Sequence, residues 1–304
     1  MNQSRRSAVL GVCARNEESG ILLTLDSIVR SAQRSNLADW HLAICANGCT
    51  DMTVPQVRSW QARNPKVVSV LLVRDEGSLV EAQREISQYK NKSGLTDLIF
   101  FGADVLVDED CIKELLNASF PSNIVAAYAV SVPITNKKET FVEQVLNQYD
   151  LSPTIFSPRK HLHGRSFLIK DWNMPITNPP LFVDDIYLSF YLLTKYGPGS
   201  IARAEKAKVH FHQISSYRDF HNTFKRRKKE LQKCFSLFPE FKSLPADQIN
   251  REISFRKLLK EPPKRFIKWM ALLLLRKASS VRLKLSRGGK AKNWIAAGST
   301  KKGF

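Results

Sequence analysis

Residues 97–104 read Asp97-Leu98-Ile99-Phe100-Phe101-Gly102-Ala103-Asp104, and the rest of the chain is organised around this stretch. Its apolar and aromatic middle, flanked by turn residues, predicts a buried β-strand. The strand ends on a carboxylate. In an open α/β sheet, ligands bind where the strands end at their carboxyl edge, so we expect Asp104 to lie at a ligand site.

A strand-turn-helix pattern occurs four times in the first 120 residues, at a spacing of about 30 residues. The predicted strands are 7–14, 40–46, 67–73 and the opening stretch. This repetition predicts a mostly parallel sheet with right-handed crossovers. Polar residues follow every one of these strands: Asn16/Glu17, Asn47, Asp75/Glu76 and Asp104. One such end is ordinary turn chemistry, but four at the same edge favour a ligand crevice.

The pattern changes beyond residue 120. We predict strands at 124–134, 164–169 and 206–211, and helices at 138–149, from Asp184-Asp185 to about residue 196, and at 217–235. Residues 153–160 and the proline-bounded 175–180 are predicted loops. The expected organisation is a domain of residues 1–235, with halves 7–120 and 121–235, followed by a basic helical extension of residues 236–304.

The formal net charge of +19 is not spread evenly over the chain. Residues 1–212 carry 23 basic and 22 acidic side chains, whereas residues 213–304 carry 24 basic and 6 acidic ones. The first two thirds therefore have the balance of an ordinary globular domain. The positive charge that would suit a nucleic acid or a membrane belongs to the C-terminal third.

The cysteines and the N-terminal residues indicate the cellular compartment in which we expect the protein. Five cysteines are present, and none of their spacings resembles a zinc-binding pair. This pattern indicates that the cysteines are small, buried, apolar residues of a protein in a reducing compartment. Met1 to Arg6 is polar and does not resemble a secretory signal, so we expect a cytoplasmic protein.

Four short motifs, in this order and spacing, resemble those of family 2 glycosyltransferases with the GT-A fold. They are residues 13–18 (CARNEE), 46–53 (ANGCTDMT), 102–104 (GAD) and Asp184-Asp185. The resemblance covers about residues 7–235. It implies a Rossmann-like mixed sheet, a nucleotide-sugar donor, a divalent Mg²⁺ or Mn²⁺ ion, and transfer with inversion to a hydroxyl of a saccharide or lipid-linked acceptor.

The resemblance also implies a set of donor-binding residues. They are Ala14, Arg15, Asn16, Glu17, Asn47, Asp51, Arg84, Ala103, Asp104 and Arg226. Two of them have a competing interpretation. Asp51 is equally typical of a helix cap, and Arg226 belongs to the basic run 225–229, which is also typical of a solvated helix face.

Asp104 matches the final carboxylate of the family's Asp-x-Asp motif, which implies that it is a metal ligand. A histidine near the end of the last strand completes the metal shell in several relatives, and His210 is preferred over His212, although a structural hydrogen bond is the alternative role. Gly102 stands where the motif has its first Asp, and Ala46 replaces an acidic residue. These departures motivate a second hypothesis, a GT-A-like binding or scaffold protein without catalysis.

The pair Asp184-Asp185 resembles the acidic pair at the start of a helix beneath the acceptor. We expect Asp185 rather than Asp184 to be the general base. Stabilisation of a helix N-terminus by two acids is the alternative. On the acceptor side the candidates are Gly164, Arg165 and Trp172.

An apolar run with cationic flanks extends from Lys264 to Lys277 in the basic extension. It is shorter than the roughly 20 residues that span a bilayer, and its composition is typical of a helix at a membrane interface. We therefore expect reversible binding to an anionic membrane surface. A helix packed on the preceding domain is the competing interpretation. Nucleic-acid binding is disfavoured, because the region has no nucleic-acid motif.

Overall fold

The computed structural model describes residues 6–134, 139–148, 161–171, 184–244 and 254–285. The strands are β1 (Ser7–Ala14), β2 (Asp39–Asn47), β3 (Ser69–Arg74), β4 (Asp97–Gly102), β5 (Val105–Val107), β6 (Ala126–Ile134), β7 (Ser166–Ile169) and β8 (Ile201–His212). The helices are α1 (Ile21–Gln33), α2 (Thr53–Arg63), α3 (Leu79–Ser93), α4 (Cys111–Ala118), α5 (Phe141–Leu146), α6 (Asp184–Tyr196), α7 (Tyr217–Leu237), α8 (Phe255–Leu258) and α9 (Pro263–Leu285). A 3₁₀ helix (Pro239–Ser243) follows α7.

All eight strands form one mixed sheet in the order β3-β2-β1-β4-β7-β6-β8-β5. The first four in this order are parallel, as the sequence predicted. Strand β7 runs antiparallel to β4 and β6, β8 is parallel to β6, and β5 is antiparallel to β8. The register aligns Cys13 with Cys45 and with Gly102, so that β1, β2 and β4 end side by side at one edge.

Helices cover both faces of the sheet, because the strands are apolar on both sides. Alternate residues of β1 enter opposite cores: Leu10 packs towards α1, α2 and α4, and Val9 packs towards α3 and α6. The second core continues beyond α7, since Phe241 of the 3₁₀ helix is buried against Tyr187 and Phe190 of α6. The packed domain thus includes residues past 235.

The basic extension packs against the preceding domain through a separate small core. Leu258 of α8 and Trp269 and Leu272 of α9 are buried against Val145 of α5. Helix α9 also contacts α7. No helix within the described ranges is long and apolar enough to cross a membrane.

Candidate active site

The loops after β1 and β2 are joined by hydrogen bonds from Asn16. This residue has a left-handed backbone (φ 56°), and its side-chain oxygen accepts a hydrogen bond of 2.8 Å from the Thr50 amide. The Glu17 amide donates to the Thr53 hydroxyl at 2.8 Å. These bonds fix the start of α1 against the start of α2, so the two loops form one rigid part of the carboxyl edge.

Asp51 strengthens the same junction. Its carboxylate accepts hydrogen bonds from the Thr53 amide (3.0 Å), the Thr53 hydroxyl (2.6 Å) and the Glu18 amide (3.1 Å). Burial alone would raise the pKa of Asp51, but these hydrogen bonds outweigh it and hold the pKa below its ordinary value. Asp51 therefore serves as a capping acceptor for the first amide of α2, from the position before the N-cap residue Met52.

Asn47 and two glycines bring the ends of β2 and β3 together. The buried Asn47 accepts a 2.8 Å hydrogen bond from the Ser78 amide at the start of α3. Gly48 has φ +67°, and a Cβ there would lie 2.6 Å from the Gly77 nitrogen. The Arg15 guanidinium covers Gly77, because a Cβ at Gly77 would lie 2.5 Å from its Nη1. Arg15 therefore reaches from β1 across to the third strand end.

Asp104 follows β4 and is half-buried. Within the described residues, we find no hydrogen bond or ion pair to its carboxylate. A Cβ on Gly102 would lie 3.0 Å from the Asp104 Oδ1, so the carboxylate uses the space that a side chain at 102 would fill. The backbone between them is fixed by the Thr24 hydroxyl, which donates to the Ala103 carbonyl at 3.1 Å.

Asp185 lies in the first turn of α6 and is 8% exposed. The Gly164 amide donates to its Oδ2 at 3.2 Å, and a Cβ at 164 would lie at the same distance from that oxygen. The Ser189 hydroxyl donates to the Asp185 carbonyl and accepts a 2.9 Å hydrogen bond from the Leu162 amide. Residues 161–164 thus hold the start of α6 in place. The side chain of Asp184 and all of Trp172 lie outside the described residues.

Arg165 links the two carboxylates. Its carbonyl accepts a 2.9 Å hydrogen bond from the Gly102 amide, and its neighbour Gly164 holds Asp185. The guanidinium carbon lies 3.3 Å from the centre of the Phe211 ring on β8, and Nη1 lies 3.3 Å from the His163 Nε2. Asp104 and Asp185 are therefore connected through Gly102, Arg165 and Gly164.

The two histidines of β8 lie two residues apart and so point to the same face. His210 is hydrogen-bonded through Nε2 to Asp108 Oδ1 at 2.6 Å, which is the structural role left open by the sequence. The β5–β8 register pairs His210 with Leu106 and Phe211 with Val105. Asp104 lies in the turn just before β5, and continuing this register by one residue would place His212, not His210, opposite Asp104.

Sequence reasoning missed this pairing because β5 has only three residues and was not predicted. The available signal was the apolar run Val-Leu-Val of residues 105–107, whose β-branched valines suit a short edge strand. No group of three His, Cys, Asp or Glu side chains that could hold a metal occurs among the described residues. A cation at Asp104 would need oxygens from a ligand or water.

The other two predicted donor-site arginines, Arg226 and Arg84, are placed differently. Arg226 on α7 is half-buried; its desolvation and the charge of Arg227 lower its pKa, whereas the charges of Glu230 and Asp185 raise it. It thus lies within electrostatic reach of Asp185. Arg84 on α3 forms an ion pair with Glu81 at 3.3 Å, one turn away on the same helix.

A cavity of about 550 Å³ lies between α1 and α2, with Leu23, Asp26 and Trp60 in its wall. None of the predicted site residues lines it. Trp60 donates a 2.7 Å hydrogen bond to Asp26, which fixes the cavity wall. The candidate site is instead the open carboxyl edge of the sheet.

No protein-family model and no curated protein matches the sequence. Solved structures do match the fold. A mannosyltransferase from Pyrobaculum calidifontis, in complex with GDP-Man and Mn²⁺, aligns with a TM-score of 0.63 at 13% identity, over 94% of this chain and 89% of that chain. A glucosyl-3-phosphoglycerate synthase from Mycobacterium tuberculosis, in complex with Mn²⁺, UDP-Glc and phosphoglyceric acid, aligns with a TM-score of 0.51 at 12% identity, over 82% and 86%. Together with the strand order, these matches show that this chain has the GT-A fold predicted from its sequence.

Proposed function

We propose that the protein is an inverting glycosyltransferase (EC 2.4 type), which moves a sugar from a nucleotide-sugar donor to a hydroxyl of a saccharide or lipid-linked acceptor. One observation carries this proposal. Asp104, a carboxylate with no hydrogen bond or ion pair among the described residues, follows Gly102, and two hydrogen bonds, from the Gly102 amide to the Arg165 carbonyl and from the Gly164 amide to Asp185, link this strand end to the buried carboxylate of Asp185. The match to transferase structures solved with nucleotide sugars and Mn²⁺ supports it.

The donor set at Asp104 suits a hard or borderline divalent cation such as Mg²⁺ or Mn²⁺. A carboxylate together with an imidazole is a typical partial set for Mn²⁺, and we assign Asp104 and His212 to these two positions. When bound, the cation would neutralise charge that builds on the departing diphosphate. His212 replaces His210 in this proposal, because His210 is engaged by Asp108.

Asp185 has the position of a general base. The amide of Gly164 holds one carboxylate oxygen and orients the group. In the proposed reaction Asp185 accepts the proton of the acceptor hydroxyl while the acceptor oxygen bonds to the anomeric carbon. The bond from that carbon to the diphosphate breaks on the opposite side, so the configuration inverts.

The donor nucleotide is proposed to lie over the junction of the β1, β2 and β3 ends. We assign Arg15, whose guanidinium lies against Gly77 at this junction, to the diphosphate or sugar. Asn16, Asn47 and Asp51 support the surface through their hydrogen bonds within the loops. Their side chains act by shaping the site.

The proposal is tested by binding and turnover in the same preparation. Calorimetry with UDP, GDP and CDP in Mn²⁺ should give metal-dependent binding of at least one nucleotide, and Asp104→Asn should abolish the metal dependence. Asp185→Asn should keep that binding and lose donor hydrolysis and transfer. Asp39→Asn, a change of an exposed carboxylate at the start of β2 and so at the opposite edge of the sheet, is the matched control for loss of a negative charge. Absence of binding for all three nucleotides would contradict the proposal.

The second candidate, a GT-A-like binding or scaffold protein, is favoured by Gly102 and Ala46, which replace acidic residues of the family pattern. It predicts nucleotide binding without hydrolysis or transfer. Turnover that is lost in Asp185→Asn would exclude it.

We infer a reducing, cytoplasmic location from the thiols. No disulfide joins any of the five cysteines, all of which lie within the described residues, and burial raises the pKa of Cys45 to about 12, so that it stays protonated and unreactive at neutral pH. Labelling of native protein recovered from cells, with and without prior reduction, checks this inference.

A further inference from the structure

Helix α9 has two apolar faces, and only one of them is covered. Trp269 and Leu272 point into the core shared with α5 and α8. Four large apolar side chains on the other side are 39% to 64% exposed: Ile267, Met270, Leu274 and Val281. Their spacing of three, four and seven residues places them on one side of the helix. We call these four residues the outer stripe.

The rotation of α9 is fixed by polar contacts to α7. The Tyr217 hydroxyl is hydrogen-bonded to the Ser279 hydroxyl at 3.1 Å, and Lys228 donates to Ser280 at 3.4 Å. The Arg276 guanidinium lies 5.9 Å from the Phe224 ring. Because these contacts hold the inner face against α7, α9 cannot turn its outer stripe inward without breaking them.

Two neighbouring helices add exposed apolar surface. Phe141 and Val142 on α5 are at least half exposed, and Phe255 and Leu259, at the ends of α8, are 67% and 74% exposed. Both helices meet α9 in the same core. Of the fifteen large hydrophobic side chains exposed among the described residues, eight belong to this helical layer. A soluble surface rarely concentrates apolar groups in this way.

The charge on α9 itself has one sign, although Glu261 pairs with Arg265 at 3.6 Å and Glu139 lies within electrostatic reach of Lys268. Helix α9 contains seven Lys or Arg residues and no acidic residue, and Lys264, Arg265, Lys277 and Arg282 are exposed. The nineteen residues that follow α9 add five basic residues and no acidic one. The partner of this surface must therefore offer both negative charge and an apolar interior.

We propose that the outer stripe and its basic flanks form a docking surface for an anionic lipid bilayer. The aliphatic side chains enter the headgroup-acyl boundary, and the Lys and Arg residues bind the anionic headgroups. A second copy of the chain fits this surface poorly, because a two-fold contact would bring the two positive faces together. A nucleic acid would satisfy the cations but would leave four aliphatic side chains without a stacking or groove partner.

Docking through α9 would also hold the carboxyl edge of the sheet close to the lipid. Helix α5 ends at the segment that follows β8, where the Asn147 side chain donates to the Ile214 carbonyl at 2.8 Å and accepts from its amide at 3.2 Å. The carboxyl end of β8 lies at the candidate site, so a lipid-linked acceptor fits this geometry. Only this last step depends on the proposed function.

The test is co-sedimentation of the full-length protein with vesicles, with no donor, metal or acceptor present. We expect binding to vesicles of phosphatidylcholine and phosphatidylglycerol, weaker binding as salt rises, and little binding to phosphatidylcholine alone. Ile267→Ser with Leu274→Ser, which leaves the charge unchanged, should lower the partition coefficient about tenfold or more. Val68→Ser with Phe120→Ser is the matched control, since both residues are exposed apolar groups elsewhere.

Several outcomes would overturn the proposal. These are no binding to anionic vesicles, equal binding by the double variant and wild type, or loss of binding in the control pair. A dimer in sedimentation equilibrium that Leu274→Ser dissociates would identify a second copy as the occupant. Because vesicle binding needs no turnover, a failure here leaves the glycosyltransferase proposal intact, and the reverse also holds.

Discussion

Gly102 determines how Asp104 sits at the end of β4. A Cβ at this position would lie 3.0 Å from the Asp104 Oδ1, closer than ordinary contacts, so the carboxylate would have to move. We expect Gly102→Ala to weaken Mn²⁺-dependent nucleotide binding about tenfold, the usual size of an effect on residues that orient a metal ligand. Calorimetry measures it. Unchanged affinity would show that Asp104 has room to shift without cost.

Gly164 determines the position of the Asp185 carboxylate in a similar way. A Cβ at 164 would lie 3.2 Å from the carboxylate oxygen that the Gly164 amide now holds. We expect Gly164→Ala to lower kcat about 10- to 100-fold through misplacement of the base, with little effect on nucleotide affinity. When turnover and nucleotide affinity are measured in both glycine variants, Gly102→Ala should mainly lower the affinity and Gly164→Ala should mainly lower kcat. Equal losses of affinity in the two would contradict the assigned roles.

Asp51 gives a pH-dependent contribution to stability. Because its folded-state pKa is depressed, its stabilisation is present above the ordinary pKa of 3.8 and is lost as the pH falls through the lower, folded-state value. We expect Asp51→Ala to cost about 1 kcal/mol in unfolding free energy at pH 7, and less near pH 3. Asp51→Asn keeps a cap acceptor and should cost less than Ala, with a smaller pH dependence. Urea unfolding at both pH values checks these differences, and a constant cost of Asp51→Ala would refute the assignment.

At the scale of the elements, the amino edge of the sheet is held by a buried ion pair. Asp97 at the start of β4 is 1% exposed, accepts from Arg6 at 2.7 Å, and accepts from the Asp171 amide after β7 at 3.1 Å. Arg6 also donates to the Leu116 carbonyl and the Ser119 hydroxyl near the end of α4. One pair thereby joins β1, β4, β7 and α4 far from the candidate site.

Loss of this pair should destabilise the fold without altering the site. We expect Asp97→Ala to reduce the free energy of unfolding by about 3–5 kcal/mol, because it leaves the part-buried Arg6 without its counter-charge. Arg34→Ala removes an exposed pair with Glu109 and should cost less than about 1 kcal/mol. Chemical denaturation of both variants makes the comparison. A small effect of Asp97→Ala would mean that water replaces the carboxylate.

The same elements show what sequence could and could not predict. Strands β1, β2 and β4 are buried on both faces and the edge strand β3 is partly buried, so all four read as apolar runs, which is why their order along the chain was evident. Strand β8 begins five residues earlier than predicted, because Arg203 and Glu205 at its start hide the apolar pattern. Asp104 and Asp185 could be found from motifs. The pairing of Val105 with Phe211, which brings the end of β8 to the residue after Asp104, depends on a register between strands about 100 residues apart, and no local pattern contains it.

At the scale of the whole molecule, the charge boundary in the sequence is not a boundary in packing. The near-neutral part ends at residue 212, yet Val145 of that part shares a core with Leu258, Trp269 and Leu272 of the basic part. The inner side of the extension is therefore packed against the preceding domain. The two interpretations of this extension, packed helix and membrane helix, apply to opposite faces of α9.

The shared core predicts that the chain unfolds as one cooperative unit. Trp269 is fully buried, so Trp269→Ala should cost about 3–5 kcal/mol. Since Val145 belongs to the same cluster, this cost should appear in the main unfolding transition, reported by Trp60 in the other core. Leu274→Ala on the outer stripe should change stability by less than about 0.5 kcal/mol. If α9 instead melted in a separate, earlier step and the main transition stayed unchanged in Trp269→Ala, the extension would be an independent unit, and a docked α9 could no longer fix the orientation of the sheet edge.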